Sequence, residues 1–257
     1  MVDCIMTNVM QFITDPFFYL IAVPAVLFVG IAKGGFAGTL GTITVPLMSF
    51  AVDPITAAAI LLPILCVMDI FAAWNFRHSF DVSHLKILLP GSVIGIALAA
   101  LLMGKLTEDH IRIMVGIIAI SFSLNHWLRL SARSSRPGKA SGYFWGGVAG
   151  FTSTQVHAGG PPLSVYVLPQ RLEKKTMIGT MVMFFFFINY VKLIPYSYLD
   201  LFTTRNLMTS LILMPIAPLG IWLGYWLLHR LSEKLVYRIL YLSLFILGVK
   251  MILEGTI

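Results

Sequence analysis

Charge is what this sequence has least of. Only 11% of its 257 residues are Asp, Glu, Lys or Arg, against about 25% in a soluble domain. With 58% hydrophobic residues and a mean hydropathy of +0.88, the chain reads as an integral membrane protein. The apolar runs are continuous, not alternating, which excludes a β-barrel and leaves helices. Cysteine is scarce too. Cys4 and Cys66 are far apart and have neither CxxC nor metal spacing, so both read as structural. Acidic residues number 11 against 18 basic ones. In a soluble protein the net charge of +7 would point to nucleic acid. Here the basic residues sit in short loops between apolar runs, the positive-inside pattern, so a lipid bilayer is the expected partner and nucleic acid is not. Residues 1–15 lack a basic stretch and carry Asp3 and Asp15, which excludes a signal peptide. No Walker A loop, HExxH, GxSxG or EF-hand occurs, and His110, His126 and His229 are scattered. No enzyme, cofactor or metal site is expected.

Long apolar segments order the rest. Residues 17–31 run into a glycine-rich break, Lys33-Gly34-Gly35-Phe36-Ala37-Gly38-Thr39-Leu40-Gly41-Thr42, and 40–52 resumes after it. Spans are expected at 55–76, which buries Asp69, then at 85–103 and 111–128. A second break, 150–164, reads Gly-Phe-Thr-Ser-Thr-Gln-Val-His-Ala-Gly-Gly-Pro-Pro-Leu-Ser. Spans follow at 176–195, 206–228 and 235–253. The expected organisation is an N-terminal segment 1–16, a first transmembrane repeat 17–128, a basic cytoplasmic linker 129–140 and a second repeat 141–257.

The halves look duplicated. At an offset of 120, Gly30 falls on Gly150, Thr56 on Thr176 and Asp69 on Asn189; at 125, Pro90 falls on Pro215, Gly95 on Gly220 and Glu108 on Glu233. Two topologies follow. If each half has four crossings, the repeats are parallel and Lys/Arg divide 9 against 8. If each break forms a hairpin or a pair of short crossings, the repeats are inverted. The loops 77–86, 129–139, 171–175 and 230–238 then share one side, with 12 Lys/Arg against 5 elsewhere and Lys33 in the break. The positive-inside rule favours the second arrangement. The expected fold is thus an all-α polytopic membrane protein of two inverted repeats, each about four spans plus a broken or short helix, with 8–10 membrane segments.

Paired broken helices at matching positions of two halves point to a transporter's binding site. A helix that starts at mid-membrane offers unpaired N–H groups and about half a positive charge to an anion. Pro161 and Pro162 suit a first turn. The candidate substrate-binding residues are Lys33, Gly34, Gly35, Gly38, Thr39, Gly41, Thr42, Ser153, Thr154, Gln155, His157, Gly159 and Gly160, with Thr44 as a further hydroxyl. Close helix packing is the alternative reading of the glycines, and snorkelling to the membrane surface the alternative for Lys33. His157 donates to an anion when protonated, or relays a proton. Asp69 is a coupling candidate or pairs with Lys33, Lys192 or a helix end. Lys192, near the end of its span, reads as snorkelling. Gly91xxxGly95, Gly142xxxGly146, Gly146xxxGly150 and Gly220xxxGly224 read as internal packing motifs.

The first break with its continuation is Gly34-Gly35-Phe36-Ala37-Gly38-Thr39-Leu40-Gly41-Thr42-Ile43-Thr44-Val45-Pro46-Leu47; the second runs from Gly150 through His157-Ala158-Gly159-Gly160-Pro161-Pro162-Leu163. Together they resemble the sulfite exporter TauE/SafE family over essentially the whole chain. The first copy departs in lacking a run of three glycines, and the second in placing His-Ala before its glycine pair. The resemblance implies a multi-pass transporter of a small sulfur-containing anion (sulfite, thiosulfate, a sulfonate or sulfoacetate) in the bacterial inner membrane. The expected partner is that anion, and a homo-oligomer is compatible with it. A small-anion channel and an intramembrane enzyme are the alternatives.

Overall fold

The computed structural model describes residues 12–36, 41–42, 44–103, 105, 107–128 and 136–256. Eleven α-helices are found among them: α1 (Pro16–Gly35), α2 (Thr44–Met48), α3 (Pro54–Phe76), α4 (Val82–Leu102), α5 (Glu108–Trp127), α6 (Lys139–Val156), α7 (Gly160–Val167), α8 (Lys174–Tyr198), α9 (Thr204–Leu213), α10 (Ile216–Arg230) and α11 (Glu233–Thr256). The fold is all-α and polytopic. By length and composition α1, α3, α4 and α8 each suffice to cross a membrane, and α9 with α10, bent by 47° at their break, is either a broken fifth span or a re-entrant pair.

Several of the few carboxylates are spent on starting helices. Asp15, Asp53 and Asp81 cap α1, α3 and α4, accepting from the N–H groups of Phe17, Thr56 and Ser83, with Pro16 and Pro54 in the first turns of α1 and α3. Each cap satisfies a donor that the helix leaves unpaired, typically worth about 1 kcal/mol.

The structure corrects three expected boundaries. The first helix does not stop at Lys33 but continues through Gly35, and the Phe36 N–H still donates to the Ala32 carbonyl. The second break is narrower than 150–164: residues 150–156 are helical and the chain turns only at 157–159. The span expected at 206–228 is interrupted before Ile216, at Met214-Pro215. Glycine tolerates a helix interior when another backbone packs on it, and that accounts for the first two corrections. A Cβ on Gly34 would lie 2.3 Å from the Ile221 carbonyl oxygen, one on Gly35 2.3 Å from that of Gly224, and one on Gly150 2.3 Å from that of Ser92.

Those close approaches are part of one packing scheme. α1 lies on α10 through Gly30, Gly34 and Gly35 against Gly220, Ile221 and Gly224. α4 lies on α6 through Gly91 and Gly95 against Tyr143, Gly147 and Phe151. In both pairs the helices run the same way, and each pair joins one half of the chain to the other. Removing the side chain lets backbones meet without loss of dispersion contact, the usual device for helix association in lipid. The small-xxx-small motifs therefore do the packing the sequence assigns to them.

Two further pairs run in opposite directions. α3 crosses α8, with Asp69 at Asn189 while Ser79 and Asp81 meet Gly179 and Thr180. α5 crosses α11, with Gly116 at Gly248 and Ser123 at Tyr241. Residues 57–62 of α3 are all buried, so this helix is the centre of the bundle. The outer surface is apolar, with Leu20, Leu101, Ile194 and Trp222 exposed. Arg77 stacks on Trp74 at 4.3 Å and Arg230 on Trp226 at 5.1 Å, which suits anchors at a membrane–water boundary. The run Phe184–Phe187 divides between the two environments: Phe184 and Phe185 are buried and Phe187 is exposed.

Candidate functional site

The second break is built from the end of α6. His157 closes that helix in the left-handed conformation, φ 53° and ψ 28°. Such backbone costs energy in a non-glycine residue and persists only where its surroundings fix it. Here the His157 N–H donates to the Ser153 carbonyl at 3.1 Å and the Ala158 N–H to the Thr152 carbonyl at 3.2 Å. The Thr152 hydroxyl donates back to the Ala158 carbonyl at 3.0 Å. α7 then begins at Gly160, and the absent N–H groups of Pro161 and Pro162 trim the donors its first turn presents. The C-terminus of α6 and the N-terminus of α7 meet at this turn, so their dipoles offset each other there.

A buried polar cluster surrounds it. His157 Nε2 donates to the Ala58 carbonyl at 3.0 Å. Its Nδ1 lies 3.0 Å from Lys192 Nζ, and an ammonium only donates. The ring is therefore the neutral Nε2–H tautomer, with both nitrogens engaged. Lys192 Nζ also donates to the Ser153 carbonyl at 3.1 Å and to Ser153 Oγ at 3.0 Å. Three donors thus meet three neutral acceptors. Lys192 is fully buried and has no carboxylate partner among the described residues. It does not snorkel: α8 continues beyond it through Pro195 to Tyr198 and carries it inside the bundle. Asn189, Lys192 and Tyr196 form one inward stripe at helical spacing, and the Tyr196 hydroxyl donates to the Thr154 carbonyl at 2.7 Å.

Lys33 is buried differently. Its ammonium pairs with Asp69 and reaches toward the Leu65 carbonyl at 3.5 Å. Asn189 Nδ2 donates to the other Asp69 oxygen at 2.6 Å. The pair is electrically neutral and structurally closed on that side. Of the sequence's options for Asp69, pairing with Lys33 is the one seen, and Asp69 also touches Asn189, 120 positions further on.

A cavity of about 30 Å³ lies between these two groups. Lys33, Gly41, Thr44, Ser153, His157 and Asn189 line its polar side, Val29, Leu61, Leu65 and Phe185 its apolar one. Two polar atoms of its lining, Thr44 Oγ1 and Asn189 Oδ1, are buried without a hydrogen-bond partner among the described residues. Buried polar atoms are normally paired, so this cavity has unmet bonding capacity. Of the candidates named from sequence, Lys33, Gly41, Thr44, Ser153 and His157 come together here, and both breaks contribute. Asp69 stands behind Lys33. Gly34 and Gly35 face α10 instead. The Thr154 hydroxyl bonds back to Gly150, and Gln155 reaches the Ala99 carbonyl on α4. Thr42 is buried beside Gly41. Gly159 packs on Ala149 and Ser153, and Gly160 starts α7; neither lines the cavity. Gly38 and Thr39 lie outside the described residues.

The model of the sulfite exporter TauE/SafE family matches residues 22–251, nearly the whole chain. The chain belongs to this family. No curated protein and no solved structure matches it. The TauE/SafE match takes in both breaks, the cavity and the α8 stripe. Lys192 is the residue of the site that sequence reasoning misplaced. The available signal was its spacing of three from Asn189, which puts it on the face that meets Asp69.

Proposed function

We propose that this TauE/SafE protein is a secondary active transporter of a small sulfur-containing anion, such as sulfite, thiosulfate, a sulfonate or sulfoacetate, in a bacterial inner membrane. The anion binds in the cavity between the two breaks. The observation that carries this reading is electrostatic. A buried lysine, Lys192, has only neutral partners among the described residues and stands behind two cavity-lining residues, Ser153 and His157. The dipoles of α6 and α7 offset each other at the turn, so an anion in the cavity is what balances the charge Lys192 carries as an ammonium. A cost of this kind inside a membrane is retained for function.

The two halves are read as inverted repeats. In support, matched helices α3 and α8, and likewise α5 and α11, cross in opposite directions, while α1–α10 and α6–α4 are equivalent pairs under exchange of the halves. The cavity has room for more than one water, and access to it alternates as one repeat rocks against the other.

Thermal unfolding of the purified protein in detergent tests the reading. Sulfite, thiosulfate, sulfoacetate, taurine, sulfate and chloride are compared. At least one sulfur anion raises the midpoint with the logarithm of its concentration, and Lys192→Met removes the shift. The reading fails if none of them raises it, or if chloride acts as strongly as the best sulfur anion.

A further inference from the structure

The surroundings of Lys192 accommodate two protonation states. As an ammonium, Nζ donates three hydrogen bonds, to the Ser153 carbonyl, Ser153 Oγ and His157 Nδ1. As an amine it has two N–H groups and a lone pair. The two N–H groups keep the Ser153 carbonyl and His157 Nδ1, and the Ser153 hydroxyl, which rotates freely about its C–O bond, donates to the lone pair. No heavy atom needs to move. Serine is the side chain for this place, because its oxygen both accepts and donates.

The other ionisable groups of the cluster lack this freedom. A neutral Lys33 would leave Asp69 as a buried carboxylate without a countercharge, and a protonated Asp69 would leave Lys33 without one. A second proton on His157 would sit on Nδ1, against the Lys192 ammonium, or require the loss of that contact. From α3, Cys66 and Asp69 face Lys192; from α1, Lys33; from the end of α6, His157. On α8 itself, Tyr190 and Tyr196 donate to the carbonyls of Cys66 and Thr154. α4 and α7 also pack on α8, but Asp81, His84 and Tyr166 cluster near Thr180, roughly three turns away from Lys192.

The charge count then fixes the ligand. Lys33 and Asp69 cancel and His157 is neutral. With Lys192 as an amine the cluster carries no formal charge; with the ammonium it carries one positive charge. An anion seated against Ser153 and His157 touches the two residues that hold Nζ and favours the ammonium.

We propose that the cavity binds one monovalent oxyanion together with one proton, and that Lys192 carries that proton. The step is R–NH₂ plus H⁺ from the side the cavity opens to, giving R–NH₃⁺; it reverses when the anion leaves, and no other bond changes. Transport of anion and proton together is electroneutral. This inference rests on the proposed transport function and adds the coupling ion and the valence of the substrate.

Calorimetric titration in detergent, in two buffers of different ionisation enthalpy, measures protons taken up per anion bound. The probes are methanesulfonate, singly charged across the working range, and sulfate, doubly charged. For the wild type, uptake rises toward one proton per methanesulfonate as pH is raised from about 6 to about 9, and sulfate binds roughly tenfold or more weakly. Lys192→Arg, with its charge fixed, binds methanesulfonate with no proton uptake; Lys192→Met weakens binding roughly tenfold or more and also takes up none. The wild-type stoichiometry needs no variant to fold. Methanesulfonate binding with no proton uptake at any pH, full uptake by either variant, or sulfate binding as tight as methanesulfonate overturns this inference alone. A wild type that binds neither methanesulfonate, sulfite nor thiosulfate overturns both this inference and the transport reading.

Discussion

The two breaks bring a lysine to the same cavity by different means, and the two lysines are buried in opposite ways. In the first half the cation sits on the broken helix itself: Lys33 lies two residues before the end of α1 and is cancelled by Asp69 of α3. In the second half the lysine comes from across the bundle: Lys192 of α8 reaches the end of α6 and, among the described residues, meets only neutral partners. A duplicated pattern of glycines and prolines therefore carries an unduplicated pattern of charge. Ser153 occupies the place that Lys33 holds in the first half at the offset of 120, and Asn189 the place of Asp69. One half holds a closed ion pair and the other a lysine without a carboxylate partner among the described residues.

The sharpest way to break this contrast is to open the closed pair. Asp69→Ala leaves Lys33 charged and buried without its partner, a change worth about 3–5 kcal/mol. Folded yield falls strongly and the thermal midpoint drops with or without substrate. The double change Lys33→Met with Asp69→Leu removes both charges, and it recovers most of the loss. Failure of the double variant to recover any stability would show that the pair is not what holds this region.

Gly34→Ala comes next. Its Cβ would lie 2.3 Å from the Ile221 carbonyl oxygen, which is rigid helix backbone. α1 and α10 must separate, at a cost of about 1–3 kcal/mol. Gly138→Ala, with nothing within 4 Å of the added carbon, is the control and leaves the midpoint unchanged. A Gly34→Ala protein as stable as wild type would return Gly34 to the list of residues free to face a ligand.

The distinction between those two roles of glycine marks where sequence reading stops. Apolar runs, the paired breaks and the alignment of Asp69 with Asn189 follow from local composition and from comparing the halves, which leave Lys33 open between burial and snorkelling. Whether Gly34 ends a helix or lets another helix approach does not, because the deciding atoms, those of Ile221 and Gly224, are nearly 190 residues away. Lys192 is the same lesson with charge. Distance from the end of an apolar run suggested snorkelling, whereas α8 continues as a helix beyond it and turns its Asn189–Lys192–Tyr196 face inward. The bend at Met214-Pro215 likewise lies in an apolar run that composition alone reads as one span.

Lys192→Met tests the open half of the comparison. Methionine fills a similar volume and removes an ammonium whose partners are neutral. Ser153 Oγ remains able to bond locally, and His157 Nδ1 loses one partner. The stability change is about 1–2 kcal/mol, clearly less than for Asp69→Ala, while the thermal shift given by a sulfur anion disappears. Equal destabilisation by the two variants would mean that Lys192 is as structural as Asp69, and the contrast between the breaks would vanish.

The smallest effect is expected at Thr44, and its sign is the informative part. The Thr44 hydroxyl is buried in the cavity wall with no protein partner among the described residues. Leaving such a group dry costs folding energy, so the near-isosteric Thr44→Val removes a penalty and raises stability by up to about 1 kcal/mol. If the hydroxyl instead serves a ligand, the same change weakens anion binding by about the free energy of one hydrogen bond to a charged group, roughly tenfold or more. Thermal unfolding with and without the best sulfur anion reads both quantities in one series. A variant that is more stable when empty and less stabilised by the anion places Thr44 among the binding groups. A variant that loses stability in both conditions shows that the hydroxyl is paired within the fold, and confines the binding groups to the His157 side of the cavity.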